Sequence, residues 1–413
     1  MQSTDQLKHQ IPGRLSDAYY QLVEYPVKGA GLINQKFLYL EKAYYYASQN
    51  RIIANDLAQK SKAAYDSIQQ LTEYYNHQVA DGKWENMMYM QPRSLPVFDL
   101  PAIPQWDFNV DTHWGLAVEG DEDIRRVKAI KGPTYLPSFN SSTRQTYFVD
   151  IFLKKEAPLD WTASASEDWI KIDQTSGTLT AEPGSQQQRL FVSIDWDKAP
   201  QSGRLRGSVR FSDGDKNYSL QVYANRQDIS HTSQEALFVE DRGYIAINAE
   251  NFSRQNNTSS YGWDVLEGLG YTGHSVWVNP LKIKEQQFDP ELKNPSTLEY
   301  DFQTDRGGEI TVTVYALPVH PLNQDYSNRI GIGVNEEAPQ IVDHKTFGRS
   351  EEWKQNVLSN STVLKTKHHL PEGGRHTLKI YALDPGIIID RIVIDKGGAI
   401  KSYSAQKETI VQP

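Results

Sequence analysis

A chain of 413 residues exceeds what one hydrophobic core organises, so two to four domains are expected. Its net charge of −9 argues against a dedicated nucleic-acid binder, which needs a clustered basic surface; the longest basic cluster, Arg125-Arg126-Val127-Lys128, follows an acidic run and reads as a solvated loop. The absence of cysteine removes thiol nucleophiles, thiolate metal ligands and disulfides together, which fits a cytosolic or bacterial periplasmic protein.

The N-terminal sequence MQSTDQLKHQIPG lacks the apolar region of a signal peptide, and no stretch approaches the roughly 18 apolar residues of a membrane helix. From Ser16 to Ala80 the apolar periodicity is helical. Residues 17–27 read as a short helix stopped near Pro26, with Gly29 and Gly31 marking the junction. A second helix runs from Leu32 to about Asn50, with Phe37, Leu40, Tyr44 and Ala47 on one side. The third carries Ile53, Leu57, Ala64, Ile68, Leu71 and Tyr75 as one stripe and stops near Asp81-Gly82. Residues 1–90 are therefore expected to form an antiparallel helical bundle, or part of a larger one.

Pro92, Pro96, Pro101 and Pro104 make residues 91–113 an extended connection, because proline is excluded from helix interiors. Its Leu95, Val97, Phe98 and Leu100 suggest packing against a neighbour. Short alternating runs separated by turn signals then fill residues 114–226, the pattern of a β-sandwich of Ig-like or jelly-roll type. Trp161, Trp169 and Trp196 are expected in its core. After a polar stretch, strands resume through residues 235–413 as a second sandwich. The fold class is multidomain α plus β, a helical bundle followed by two antiparallel β-sandwiches.

Familiar catalytic signatures are absent: there is no Gly-x-Ser-x-Gly elbow, no His-Glu-x-x-His and no Walker loop. Gly268-Leu269-Gly270-Tyr271-Thr272-Gly273 matches a dinucleotide-binding string, but it lies among strands and turns, so tight turning is the preferred explanation. His368 and His369 are neighbours on a strand and should face opposite ways. Asn-x-Ser/Thr sequons at Asn140, Asn217, Asn251, Asn256, Asn257 and Asn360 matter only on a eukaryotic secretory route. The most suggestive cluster is Tyr261, Trp263, Tyr271, His274 and Trp277. Aromatic faces stack on sugar rings and polar neighbours bind hydroxyls, while a uronic acid would also want an arginine fork. Sugar contact and core packing both remain open for this cluster.

Several stretches together resemble the C-terminal half of glycoside hydrolase family 115. They are DAYYQLVEYPV from Asp17, ANDLA from Ala54, LTEYYN from Leu71, GKW from Gly82 and QPRSLPVF from Gln91. The last domain adds INAENF from Ile247, GLG from Gly268, LDPG from Leu383 and DRIVID from Asp390. The resemblance implies α-glucuronidases that remove glucuronic acid from side chains of xylan and related plant polysaccharides, by an inverting hydrolysis. That family carries its catalytic carboxylates on an N-terminal (β/α)₈ barrel, and no strand–helix alternation here could build one. No catalytic residue is carried over, so this chain is expected to be inactive alone.

The resemblance thus implies a supporting region. It would brace the barrel, shape access of a glucuronoxylan-like polymer or join subunits into a homodimer. Arg93, with Gln91, would approach the active-site side, plain packing being the other reading. A stand-alone carbohydrate-binding or scaffold protein is the alternative. No nucleic-acid or membrane partner is implied, and the parent protein would be periplasmic or secreted. The last domain is also similar to carbohydrate-binding modules of families 6 and 35. Those often hold a structural calcium, which here would fall to Glu250 and Asp390, although Asn248 stands where a second Glu is common. Carbohydrate contact is expected from Trp263, Tyr271, His274, Trp277 and Arg93.

Overall fold

The computed structural model describes residues 1–119, 135–201, 203–227, 229, 235–258, 261–281, 295–324, 326–400 and 405–412. The basic cluster from Arg125 to Lys128 lies outside them. The chain divides into two compact units. The first comprises Met1–Phe139, Thr146–Pro200 and Leu205–Tyr223; the second comprises Asn140–Gln145, Gln201–Arg204 and Ala224–Pro413.

The first unit opens with helices α1 (Gln2–Lys8), α2 (Ser16–Tyr19), α3 (Tyr25–Ser48) and α4 (Ile53–His77). A π-helical turn, Tyr20–Glu24, joins α2 to α3. Pro26 therefore does not stop a helix. It occupies the first turn of α3, where its missing N–H is not needed. Gly31 lies inside α3, where a Cβ would collide with the Met1 side chain. The buried face of α3 is Leu32, Lys36, Ala43 and Tyr46, whereas Tyr44 is 52% exposed, so the real stripe is rotated from the expected one. On α4, Leu57, Ala64 and Tyr75 are buried as expected, and small residues Ala54, Ala58 and Ser61 let α3 approach closely. The helix ends before a turn in which Ala80, Asp81 and Gly82 all take positive φ.

The first half of the Pro-rich connection is held through its backbone. Leu95, Val97 and Leu100 are exposed, contrary to the packing expected of them. Instead, buried Lys36 donates from Nζ to the carbonyls of Val97 at 2.7 Å and Asp99 at 2.9 Å. Burial holds the Lys36 ammonium below its ordinary pKa, with Asp99 opposing that shift. Further on, Ile103, Trp106 and Phe108 pack on the helical core, and Asn55 exchanges two hydrogen bonds with the Trp106 backbone.

The first sandwich contains β1 (Trp114–Val118), β2 (Phe139–Asn140), β3 (Thr146–Leu153), β4 (Leu159–Ala165), β5 (Ile170–Ile172), β6 (Ser176–Leu179), β7 (Gln187–Ile194), β8 (Arg204–Ser212) and β9 (Asn217–Asn225). Its sheets run β1-β3-β7-β5 and β2-β9-β8-β4-β6. Alternation fills the space between them: Leu159, Trp161 and Ala163 point inward from β4 while their neighbours face solvent. Trp161, Trp169 and Trp196 are all buried, as the sequence suggested.

The second sandwich contains β10 (Leu237–Val239), β11 (Tyr244–Asn248), β12 (Arg254–Asn256), β13 (Gly262–Glu267), β14 (His274–Asn279), β15 (Thr297–Thr304), β16 (Gly308–Ala316), β17 (Arg329–Val334), β18 (Gln340–Asp343), β19 (Thr362–Leu370), β20 (Gly374–Ala382) and β21 (Ile388–Asp395). One sheet runs β10-β15-β20-β17-β18 with β12 on β15; the other runs β13-β14-β21-β16-β19 with β11 on β21. Pairing is antiparallel except that β10 runs parallel to β15. A helix, α5 (Glu351–Leu358), precedes β19 and is capped by Ser350, whose hydroxyl accepts from the Trp353 N–H. His368 is buried and His369 is exposed, as strand alternation requires. Among the described residues, no helix is long and apolar enough to cross a membrane.

Candidate functional site

The glycine-rich string proves to be the turn between β13 and β14, which pair up to Glu267 opposite His274. Gly268, Gly270 and Gly273 all take positive φ, which accounts for glycine without any cofactor. At Gly270 there is a further reason: a Cβ there would meet Asp390 Oδ1 and Ser275 Oγ. The turn is thereby drawn onto the end of β21. The Tyr271 N–H donates to Asp390 Oδ1 at 2.8 Å, and the Thr272 hydroxyl donates to Glu250 Oε1 at 2.6 Å. Glu250 and Asp390 thus meet at adjacent residues of one turn, and the Ala249 N–H donates to the Asp390 carbonyl.

Glu250 Oε2 is buried and has no hydrogen-bond partner among the described residues. Its charge is felt nearby. Burial, followed by Glu250, pushes the Tyr300 phenol well above its ordinary pKa, and the Tyr300 hydroxyl donates to the Ala249 carbonyl. Glu408, returning from the C-terminal segment, is raised by burial and by Glu250. It accepts from the Asn248 N–H at 2.8 Å and from Asn251 Nδ2 at 2.9 Å. Among the described residues, no three His, Asp or Glu side chains form a metal-holding group. The orphaned Glu250 oxygen nevertheless suits a hard cation, whose other ligands can be neutral oxygens.

Beside the carboxylates lies an aromatic and cationic surface. Tyr271 is 63% exposed. The Arg391 guanidinium carbon sits 5.6 Å from the Tyr271 ring centroid and 4.3 Å from that of Tyr315. Arg391 pairs with Asn248 on one side and Tyr315 on the other, so the three share the sheet's outer face. His274 is exposed at the start of β14, and Trp277 is half-buried between Asp264 and Ile388.

Trp263 is different. It is 0% exposed within the core between the two sheets, so it offers no face to a sugar. Its register partner Val278 is equally buried, and strand parity assigns both to the inside. Tyr261 is buried with it. Arg93 belongs to the first unit, where it is exposed in the Pro92–Ser94 turn with φ of 60°. Sequence reasoning missed Tyr315 and Arg391, although it asked for an arginine. Parity was available for Tyr315, which sits between buried Val314 and Ala316 on β16, but not for Arg391, because alternation on β21 breaks at Asp390 and Arg391.

Residues 237–408 match the model of the glycosyl hydrolase family 115 C-terminal domain. That stretch is therefore similar to the C-terminal domain of family 115 enzymes. The family 115 domain is preceded by a match to the viral BACON domain over residues 133–225. Among solved structures, the chain is similar to a family 115 4-O-methyl-α-glucuronidase with specificity for decorated arabinogalactans, at 21% identity and a TM-score of 0.48. That match covers 96% of this chain and 31% of that one, so the chain spans about a third of the enzyme's length. A family 35 carbohydrate-binding module from Clostridium thermocellum is 15% identical, with a TM-score of 0.24, over 37% of this chain and 96% of that one. A family 6 module from Cellvibrio mixtus, in complex with cellotriose, is also 15% identical, with a TM-score of 0.23, over 37% and 96%. No protein of curated function matches the chain.

Proposed function

We propose that the chain is the non-catalytic C-terminal region of an α-glucuronidase that removes glucuronic acid side chains from a plant polysaccharide. The family 115 match carries this reading. The helices would brace a catalytic barrel in a longer chain, and the parent protein would be periplasmic or secreted. The second sandwich would help shape access of the polymer, a glucuronoxylan or, as in the arabinogalactan-specific relative, another decorated glycan.

Tyr271, Arg391 and Tyr315 supply what such a polymer needs: an exposed ring for a sugar face and a guanidinium for a carboxylate. Glucuronoxylan oligosaccharides are expected to bind the purified chain, and Arg391→Ala is expected to weaken binding about tenfold. Isothermal titration reads this directly. Equal binding by wild type and Arg391→Ala would remove the site from this role, and release of glucuronic acid by the chain would overturn the non-catalytic reading.

Glu250 and Asp390 are proposed to hold a structural calcium at the base of the same turn. Calcium binding to the folded state raises its melting temperature by mass action. Chelated protein is expected to melt higher once calcium is added, and Glu250→Gln to abolish that rise. Scanning calorimetry that shows no calcium-dependent shift in the wild type would end the proposal.

A further inference from the structure

The π-helical turn Tyr20–Glu24 sets an acidic side chain at a place a regular helix would not. Glu24 is 3% exposed, yet it lines an open cavity of about 470 Å³ in the first unit. Lys28, one turn along, donates to its Oε1 at 2.7 Å, and Lys8 from α1 donates to the same oxygen at 3.1 Å. Lys28 also pairs with Asp5 at 2.7 Å. The second oxygen, Glu24 Oε2, is buried and lies 3.0 Å from the Lys8 ammonium, so both carboxylate oxygens are ion-paired.

The opposite wall is one stripe of α4: Ser67, Gln70, Leu71 and Tyr74 recur at positions i, i+3, i+4 and i+7. Tyr74 is 48% exposed, and its ring centroid is 4.7 Å from that of Tyr20, whose hydroxyl is tied to the Leu71 carbonyl. The exposed ring is therefore held in place before any ligand arrives. Leu32 and Leu71 add apolar surface.

We propose that this cavity, formed by Glu24 of the π-helical turn, the Asp5, Lys8 and Lys28 side chains and the Gln70–Tyr74 face of α4, binds a small neutral saccharide. The lining side-chain charges balance, two lysines against two carboxylates, and each is already ion-paired, so a charged ligand must break one of these pairs to use them. A sugar hydroxyl both donates and accepts, which matches carboxylates, ammonium groups and the Gln70 amide at once. The C–H face of the ring would rest on Tyr74. The cavity falls within the roughly 300–1,000 Å³ of small-molecule sites and admits one or two sugar rings. This site is independent of the Tyr271 and Arg391 surface on the second sandwich.

The test is isothermal titration of the full chain with xylose, glucose, galactose, xylobiose and cellobiose, with acetate and ethylammonium as charged controls. At least one saccharide is expected to bind saturably, and Tyr74→Ala and Gln70→Ala are each expected to weaken it about tenfold. Both side chains are exposed, so neither change threatens the fold. Arg391→Ala should leave this binding unchanged, which separates its failure from failure of the sandwich site. Absence of saturable binding to every saccharide, tighter binding of either charged control, or binding indifferent to Tyr74→Ala would overturn the proposal.

Discussion

Asp150→Ala is expected to destabilise the first unit by about 3–5 kcal/mol. The reason is the partner it leaves behind. Arg51, from the turn between α3 and α4, is 2% exposed against β3 of the sandwich. Its Nη1 donates to Asp150 Oδ2 at 3.1 Å and to Gln187 Oε1 at 3.0 Å, and its Nε donates to Gln49. The guanidinium carbon is also clamped between rings, 4.0 Å from the Tyr46 centroid and 4.2 Å from that of Phe152. Without Asp150 a full positive charge would stay buried, with only neutral amides and ring faces as partners. Arg189, which also grips Asp150, is 45% exposed and can turn to water, so the penalty belongs to Arg51. Urea unfolding of Asp150→Ala, Arg51→Met and the double variant measures this as a cycle. The double variant is expected to recover much of the loss, because it removes the stranded charge. A cost below about 1 kcal/mol for Asp150→Ala would mean that the pair is solvated in solution.

That pair also shows what local sequence signals do not carry. Helical periodicity and strand alternation are local signals, and they correctly separated helices from the first sandwich. Arg51, Asp150 and Gln187 carry no local signal that they meet, yet they place the helices and first sandwich in one compact unit. The same limit applies at Lys36, whose burial beneath two carbonyls is invisible in a periodic pattern. Strands were legible because inward and outward residues alternate, and the buried tryptophans of the first sandwich follow from that. Trp263 was misjudged because closeness in sequence to Tyr271 outweighed its parity with buried Val278. The pairing of Glu250 with Asp390 was reachable only through resemblance, since the turn that joins them depends on Gly270 lacking a side chain.

The second unit is expected to lose stability in two separate steps as the solution is acidified. The upper step belongs to His344, which is 5% exposed, with both ring nitrogens unpartnered among the described residues. Burial lowers its pKa from 6.5 to about 4, against the opposing pull of Asp343 and Asp384. The unfolded imidazole takes its proton near pH 6.5 and the folded one only near pH 4, so between them the unfolded chain binds more protons. Stability therefore falls through that window, by about 3 kcal/mol in all. The lower step belongs to Asp301, also buried. Its burial would raise the pKa, but Arg254, Thr377 and Arg375 outweigh that and hold it at about 2 against an ordinary 3.8. Arg254 reaches it with two nitrogens, at 2.7 and 2.8 Å, and Arg375 adds a third at 2.8 Å. Its contribution is complete above the unfolded pKa and is lost as pH falls towards 2, by about 2 kcal/mol. Urea midpoints measured across both windows should separate the two groups. His344→Leu is expected to flatten the upper window and leave the lower slope, and Asp301→Asn to do the reverse. An unchanged upper slope in His344→Leu would show that its imidazole is solvated or paired, because a buried neutral ring must resist the proton that the unfolded chain accepts.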